Sequence, residues 1–213
     1  TGVAVDADQN IILVGIGFEN GEPRRYVARF HPNGTLDWEL PGPVGTEARG
    51  VGVLPDGTIY VAGAKRTSVN PERWDVEASV YGADKPAYGP IPYSDPSDKV
   101  NVRSERGRAV VVLKSGRVVI LGTREIANPD DPNDPGKNIL RGMALLFEGK
   151  GKRVGDDWTS TGDKLKHDAI LAGAATKDGH EVVLGTVFML VGENSRAVAQ
   201  RAGDKLKEID ATL

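Results

Sequence analysis

One segment is written four times along the chain, and that repetition constrains the fold more than any other feature. Gly50-Val51-Gly52-Val53-Leu54-Pro55-Asp56-Gly57-Thr58-Ile59-Tyr60-Val61-Ala62-Gly63 reads as an alternating strand, a Pro-Asp-Gly turn and a second strand that stops at glycine. Moved back by 48 positions it becomes Gly2 to Gly15, and moved forward by 59 it becomes Ala109 to Gly122. A weaker copy runs from Thr176 to Gly185. Each copy is followed by a second hairpin. The first of these is Tyr26-Val27-Ala28-Arg29-Phe30, the turn His31-Pro32-Asn33-Gly34, and Thr35-Leu36-Asp37-Trp38-Glu39-Leu40. Comparable second hairpins begin at Ala78, Met143 and Ala197.

The unit is therefore four antiparallel strands, A to D, recurring about every 50 residues, a period in the range of β-propeller blades. One such sheet cannot bury both faces by itself, whereas stacking against its neighbours does so. The expected fold is all-β: a propeller-like array of four four-stranded blades in one domain, with units at about 2–47, 48–106, 107–166 and 167–213. Strand A, small and apolar, suits the inner position beside a central channel. Strand D, with Trp38 or Trp158 among charged residues, suits the outer edge. The four units either close as a small ring or form part of a larger one completed by another chain or by further residues.

The Gly-Val-Ala-Val strand, the Asp-Gly-x-Ile-x-Val-Ala-Gly hairpin, Ala28-Arg29-Phe30 and Pro32-Asn33-Gly34-Thr35-Leu36-Asp37 resemble the delta-60 class of bacterial propeller-type repeats and, more distantly, NHL repeats. The first two units carry the resemblance best. It implies blade structure and a place in a secreted or cell-surface bacterial protein, with the periplasm as a further compartment. It brings no catalytic residue. Gly34-Thr35-Leu36-Asp37-Trp38 is also faintly similar to the tryptophan-docked repeats of quinoprotein propellers, in one unit only.

Composition narrows the function. A net charge of -3 gives no electrostatic case for nucleic acid. The absence of cysteine excludes disulfides, thiolate metal sites and a cysteine nucleophile. Apolar runs such as Val118-Val119-Ile120-Leu121 are far shorter than a membrane span. The chain starts at Thr1 and enters a strand at once, which reads as a processed or excised segment.

Connection lengths predict an elaborated face. In an up-and-down blade the A–B and C–D turns share one end, and the B–C and D–A connections share the other. The first pair is short; the second includes Ala64 to Glu77, Pro86 to Gly107, Thr123 to Arg141 and roughly Thr159 to His167. Long connections on a rigid scaffold are where binding concentrates. Arg49 and Arg108 occupy the same repeat position directly before strand A, with Glu47, Glu105 and Arg106 nearby. They suit either a carboxylate, sulfate or phosphate ligand at the channel mouth, or salt bridges between blades.

Other candidates are weighed on chemistry. Asp130, Asp131, Asn133 and Asp134 gather oxygen ligands as a calcium loop does, but their spacing fails the EF-hand pattern, and a proline-stiffened polar loop fits equally. No other cofactor is expected. Phe188, Met189 and Leu190 lie in an apolar run that suits either a partner interface or a longer buried strand. His31, His167 and His180 fall on separate turns and loops, so no histidine triad is expected. Asp156-Asp157 and Asp95 with Asp98 are carboxylate pairs of the kind an acid/base enzyme uses. Thr1 as a nucleophile would need a helix-rich fold that this pattern lacks. The leading expectation is a noncatalytic binding or scaffold module contacting a protein, glycan or small anion. The alternative is a propeller hydrolase or lyase acting on polysaccharide.

Overall fold

The structure, a computed structural model, describes residues 2–70, 72–82, 89–91, 102–113, 115–128, 130–131, 133, 138–148, 151–154 and 158–159. The regular elements among these are all strands, in three four-stranded sheets. The first sheet holds β1 (Gly2–Val5), β2 (Ile11–Glu19), β3 (Glu22–Phe30) and β4 (Leu36–Val44). The second holds β5 (Thr46–Val53), β6 (Ile59–Val69), β7 (Glu72–Tyr81) and β8 (Gly89–Ile91). The third holds β9 (Val102–Val112), β10 (Val118–Ile126), β11 (Ile139–Phe147) and β12 (Trp158–Thr159). Chain neighbours are sheet neighbours throughout, and each pair is antiparallel. The fourth expected unit, 167–213, lies outside the described residues.

Turn chemistry sets the strand register. Leu54 N donates to Thr58 O at 2.8 Å and Gly57 N to Leu54 O at 2.9 Å, and Leu113, Arg117 and Gly116 repeat the scheme at the same distances. Gly57 and Gly116 sit at φ +81° and +79°, a conformation costly for a side chain with a Cβ. The turn from His31 to Thr35 closes in the same way between β3 and β4. At the other end Asn20 and Gly21, both at positive φ, turn β2 into β3 in two residues.

The sheets stack in chain order, with β1 against β5 and β5 against β9. Contact there is close: a Cβ on Gly50 would stand 2.6 Å from Ala109 Cα. Two apolar layers result. Ile12, Val14 and Val27 meet Ala48, Ile59, Val61 and Tyr81 between the first and second sheets. Tyr60, Ala62, Val76 and Ala78 meet Val110, Val118, Ile120, Met143, Leu145 and Phe147 between the second and third. Alternating residues of β6 thus serve both layers, which is why its first six residues are all buried.

Tyr60 adds a polar tie across the second layer. Its hydroxyl donates to Glu148 O at 3.1 Å and accepts from Gly151 N at 2.6 Å, in the turn that follows β11. Tyr60→Phe removes this tie and leaves Gly151 N–H and the Glu148 carbonyl their mutual hydrogen bond at 3.3 Å; it is expected to cost about 1 kcal/mol, read from a urea denaturation midpoint with an unchanged slope.

Three expectations are corrected. The second strand of each hairpin does not stop at glycine: β6 continues past Gly63 to Val69 and β10 past Gly122 to Ile126. The span from Ala64 to Glu77 is consequently a protruding hairpin, paired from Lys65↔Asp75 to Val69↔Glu72, and not an irregular loop. Likewise the span from Thr123 to Arg141 begins and ends as strand, paired up to Ile126↔Ile139. Finally, the D–A connection between the first two units is not long: β4 enters β5 through the single residue Gly45 (φ +77°), whose N–H donates to Pro23 O and whose carbonyl accepts from Arg66 N.

Candidate functional site

Arg49 and Arg108 do not precede strand A; they lie inside β5 and β9, and each is the extra residue of a β-bulge. In β5 the pairing with β6 jumps from Ala48↔Gly63 to Gly50↔Ala62, leaving Arg49 unopposed. In β9 the pairing with β10 jumps from Gly107↔Gly122 to Ala109↔Leu121, leaving Arg108 unopposed. A bulge re-aims the side chain it carries and sharpens the local twist. It also drives the backbone toward the facing strand: a Cβ on Gly63 would overlap the Glu47 carbonyl, and one on Gly122 the Arg106 carbonyl. The glycine that reads as a terminator in the sequence is the residue that admits the bulge.

Around these bulges gather three guanidinium groups and one carboxylate. Glu47 Oε2 accepts from Arg49 Nε at 2.9 Å and stands 3.8 Å from Arg106 Nε of the next sheet. Arg108 completes the group; burial pushes its pKa below the usual arginine value, and Arg49 and Arg106 push further in the same direction against the pull of Glu47. Trp74, at the start of β7, lies under Arg106 at 5.0 Å and Arg66 at 5.9 Å. The Trp74 backbone N–H donates to Ser104 Oγ of β9 at 3.2 Å.

The surrounding arginines also meet carboxylates. Arg25 of β3 bonds Glu77 and Ser79 of β7 across the first layer, Arg66 of β6 bonds Glu22 of β3, and Arg124 of β10 bonds Glu105 of β9. The bridge between sheets is made by Arg106, which reaches Glu47, while Arg49 pairs with Glu47 within its own sheet.

Above this floor the hairpin tips carry apolar side chains. Phe18 of β2 is 74% exposed, Val69 of β6 is 73% exposed, and Val44, where β4 ends, is 49% exposed. All three lie at the end away from the Asp6–Asn10 and Leu54–Thr58 turns. The sequence reading missed Phe18, Val69 and Trp74. The signal for Phe18 was its position beside the Asn20-Gly21 turn, which marks it as a hairpin tip.

The remaining candidates do not join this cluster. Asp130, Asp131 and Asn133 follow β10, where Asn128 Oδ1 accepts from Asp130 N at 3.0 Å in a local turn; Asp134 lies outside the described residues. His31 sits on the β3–β4 turn. Trp38 lies on β4, the edge strand of its sheet as expected, and is half-buried by stacking on Tyr81 of the next sheet, ring centroids 6.4 Å apart. Phe188, Met189, Leu190, His167, His180, Asp95, Asp98, Asp156, Asp157 and Thr1 fall outside the described residues. Among the described residues no three histidine, aspartate or glutamate side chains are arranged to hold a metal ion, and no helix is long and apolar enough to cross a membrane.

Residues 7–37 match a family profile described as "Domain of unknown function (DUF5122) beta-propeller". The repeat is a β-propeller repeat. Its blades are the three sheets, and strand A of each is the inner one. The match does not single out the delta-60 or NHL class. A crystal structure of a protein of unknown function from Dyadobacter fermentans DSM 18053 is similar in fold, with TM-score 0.54 and 12% identity over 81% of this chain and 52% of that one. Among curated proteins, the chain is 36% identical over 107 residues to the cobalt-zinc-cadmium resistance protein CzcA of Cupriavidus metallidurans, covering 50% of this chain and 9% of that protein. It is 47% identical over 68 residues to protein HelA of Legionella pneumophila, covering 32% of this chain and 6% of that one. It is 60% identical over 42 residues to the nickel-cobalt-cadmium resistance protein NccA of Alcaligenes xylosoxydans xylosoxydans, covering 20% and 4%. The chain thus spans at most 9% of the length of these curated relatives.

Proposed function

We propose that the chain is a noncatalytic binding or scaffold module of a secreted or cell-surface bacterial protein, contacting a protein or glycan partner through the end that carries the β2–β3 and β6–β7 hairpin tips. The observation that carries this reading is the exposure of Phe18 and Val69 on adjacent hairpins that Arg66 and Glu22 tie together. Exposed apolar side chains above a charged floor are the composition of a contact surface. Of the carboxylates at this end, Glu22, Glu47, Glu77 and Glu105 are each engaged by an arginine, which in these four favours binding over acid–base chemistry.

The test is binding of the full chain to a glycan and protein array, followed by a turnover assay on whatever binds. Retention without product release is expected, with affinity reduced at least about tenfold in the Phe18→Ser, Val69→Ser double variant, as removal of two central apolar contacts implies. Binding indifferent to that double variant would refute the placement of the surface, and released sugar fragments would favour the hydrolase or lyase instead. A second reading is supported by the curated relatives: a part of a metal-resistance assembly. Titration with cobalt, zinc and cadmium ions separates it, since the first reading expects no heat of binding.

A further inference from the structure

Arg25, Arg66 and Arg124 each meet a carboxylate of their own, whereas around the bulges Arg49 and Arg106 both meet Glu47, and Arg108, on the equivalent bulge of the next strand, lies within the electrostatic reach of all three. A cluster kept only to lock blades together has no use for the excess charge, because gathering guanidinium groups in a half-buried place costs energy unless anions balance them. The unsatisfied polar atoms point the same way. Arg108 Nε and the Trp74 indole Nε1 are buried without a hydrogen-bond partner, and both are donors. What this place lacks is an acceptor bearing negative charge.

We propose that Arg49, Arg106 and Arg108 form a site for a carboxylate ligand, and that Glu47 is a built-in competitor which the ligand displaces. A carboxylate fits better than a spherical anion because the group already seated there is one: Glu47 meets Arg49 through a single oxygen at 2.9 Å and Arg106 at 3.8 Å, contacts that an incoming carboxylate can take over in the paired geometry guanidinium favours. Two features fit the assignment. Trp74 fixes Arg106 from one face. The bulges place Arg49 and Arg108 at equivalent points of adjacent inner strands, so that two guanidinium groups converge without a side chain opposite them in the ladder. The inference rests on the reading that this end of the array is its binding end.

Calorimetric titration of the full chain at low salt tests it, with glucuronate as a sugar-borne carboxylate, N-acetylglutamate as a peptide-like one, and glucose as the neutral control. At least one carboxylate binds and glucose does not; which one binds identifies the source. Glu47→Gln removes the competitor and is expected to tighten binding about tenfold, whereas a purely structural Glu47 would give no gain. Arg49→Gln and Arg108→Gln each weaken binding at least about tenfold, with circular dichroism confirming the fold. Absence of carboxylate binding even in Glu47→Gln, or binding unchanged in both arginine variants, overturns the proposal. If the array partner is still lost on Phe18→Ser, Val69→Ser while no carboxylate ever binds, this inference alone fails. If carboxylates bind and the rim substitutions change nothing, the earlier reading fails instead.

Discussion

Gly63→Ala is expected to cost at least about 4 kcal/mol of folding stability, the exceptional end of single substitutions and a large share of the about 5 to 15 kcal/mol of an ordinary domain, read as a sharply lowered urea midpoint. The added methyl would overlap the carbonyl oxygen of Glu47 and crowd the Ala48 Cα, which lies 3.1 Å away. Both are backbone atoms held by the β5–β6 ladder, so no change of rotamer relieves the clash. β6 must then move, and its Ile59, Tyr60, Val61 and Ala62 are at most 2% exposed, packed into layers on either side. Gly122→Ala is expected to behave in the same way, since its methyl would meet the Arg106 carbonyl. Gly21→Ala is the comparison: nothing lies within 4 Å of its added carbon, so only the strain of φ +81° remains, about 1 kcal/mol. Equal small losses at Gly63 and Gly21 would show that β5 carries no bulge.

Arg25→Ala is expected to cost about 3 to 5 kcal/mol, because it removes the buried guanidinium that pairs with the Glu77 carboxylate between blades. Arg25 is 1% exposed and donates to Glu77 and, at 2.7 Å, to Ser79 Oγ. Room for it comes from Gly42, where a Cβ would overlap the arginine side chain. Glu77→Gln in the Arg25→Ala background is expected to recover part of the loss, because an amide is cheaper to bury than a charge. A thermodynamic cycle over the two sites reads the coupling. Additive losses would mean that the pair contributes nothing across the layer.

The same two regions show which parts of the structure the sequence discloses. The blade hairpins were legible because their turns are local: Pro55-Asp56-Gly57 and Lys114-Ser115-Gly116 carry the conformational requirement in the residues themselves. Gly63 was legible as special but not for the right reason. A glycine that ends a strand and one that faces a bulge look alike until the opposing strand is known, and here that strand is set by the register of Ala48 and Gly50. Lys65-Arg66-Thr67 and Arg124-Glu125 read as polar loop, yet they alternate along hairpin arms whose arginines fold back into ion pairs with Glu22 and Glu105. Arg25 and Glu77, separated by 52 positions, carried no shared local signal at all. Of the candidate site, Arg49 and Arg108 were found by repeat arithmetic, whereas Trp74, which has no equivalent tryptophan in the other units at that register, was not.

Gly45 has a consequence for how the molecule comes apart. A one-residue passage from β4 to β5, fastened on one side to Pro23 and on the other to Arg66, leaves the first two blades no slack to separate. Opening the one therefore pulls on the other, and amide protons of β3 and β6 should exchange with solvent in a single sub-global event rather than blade by blade. In an array usually pictured as a chain of independent modules, these two behave as one.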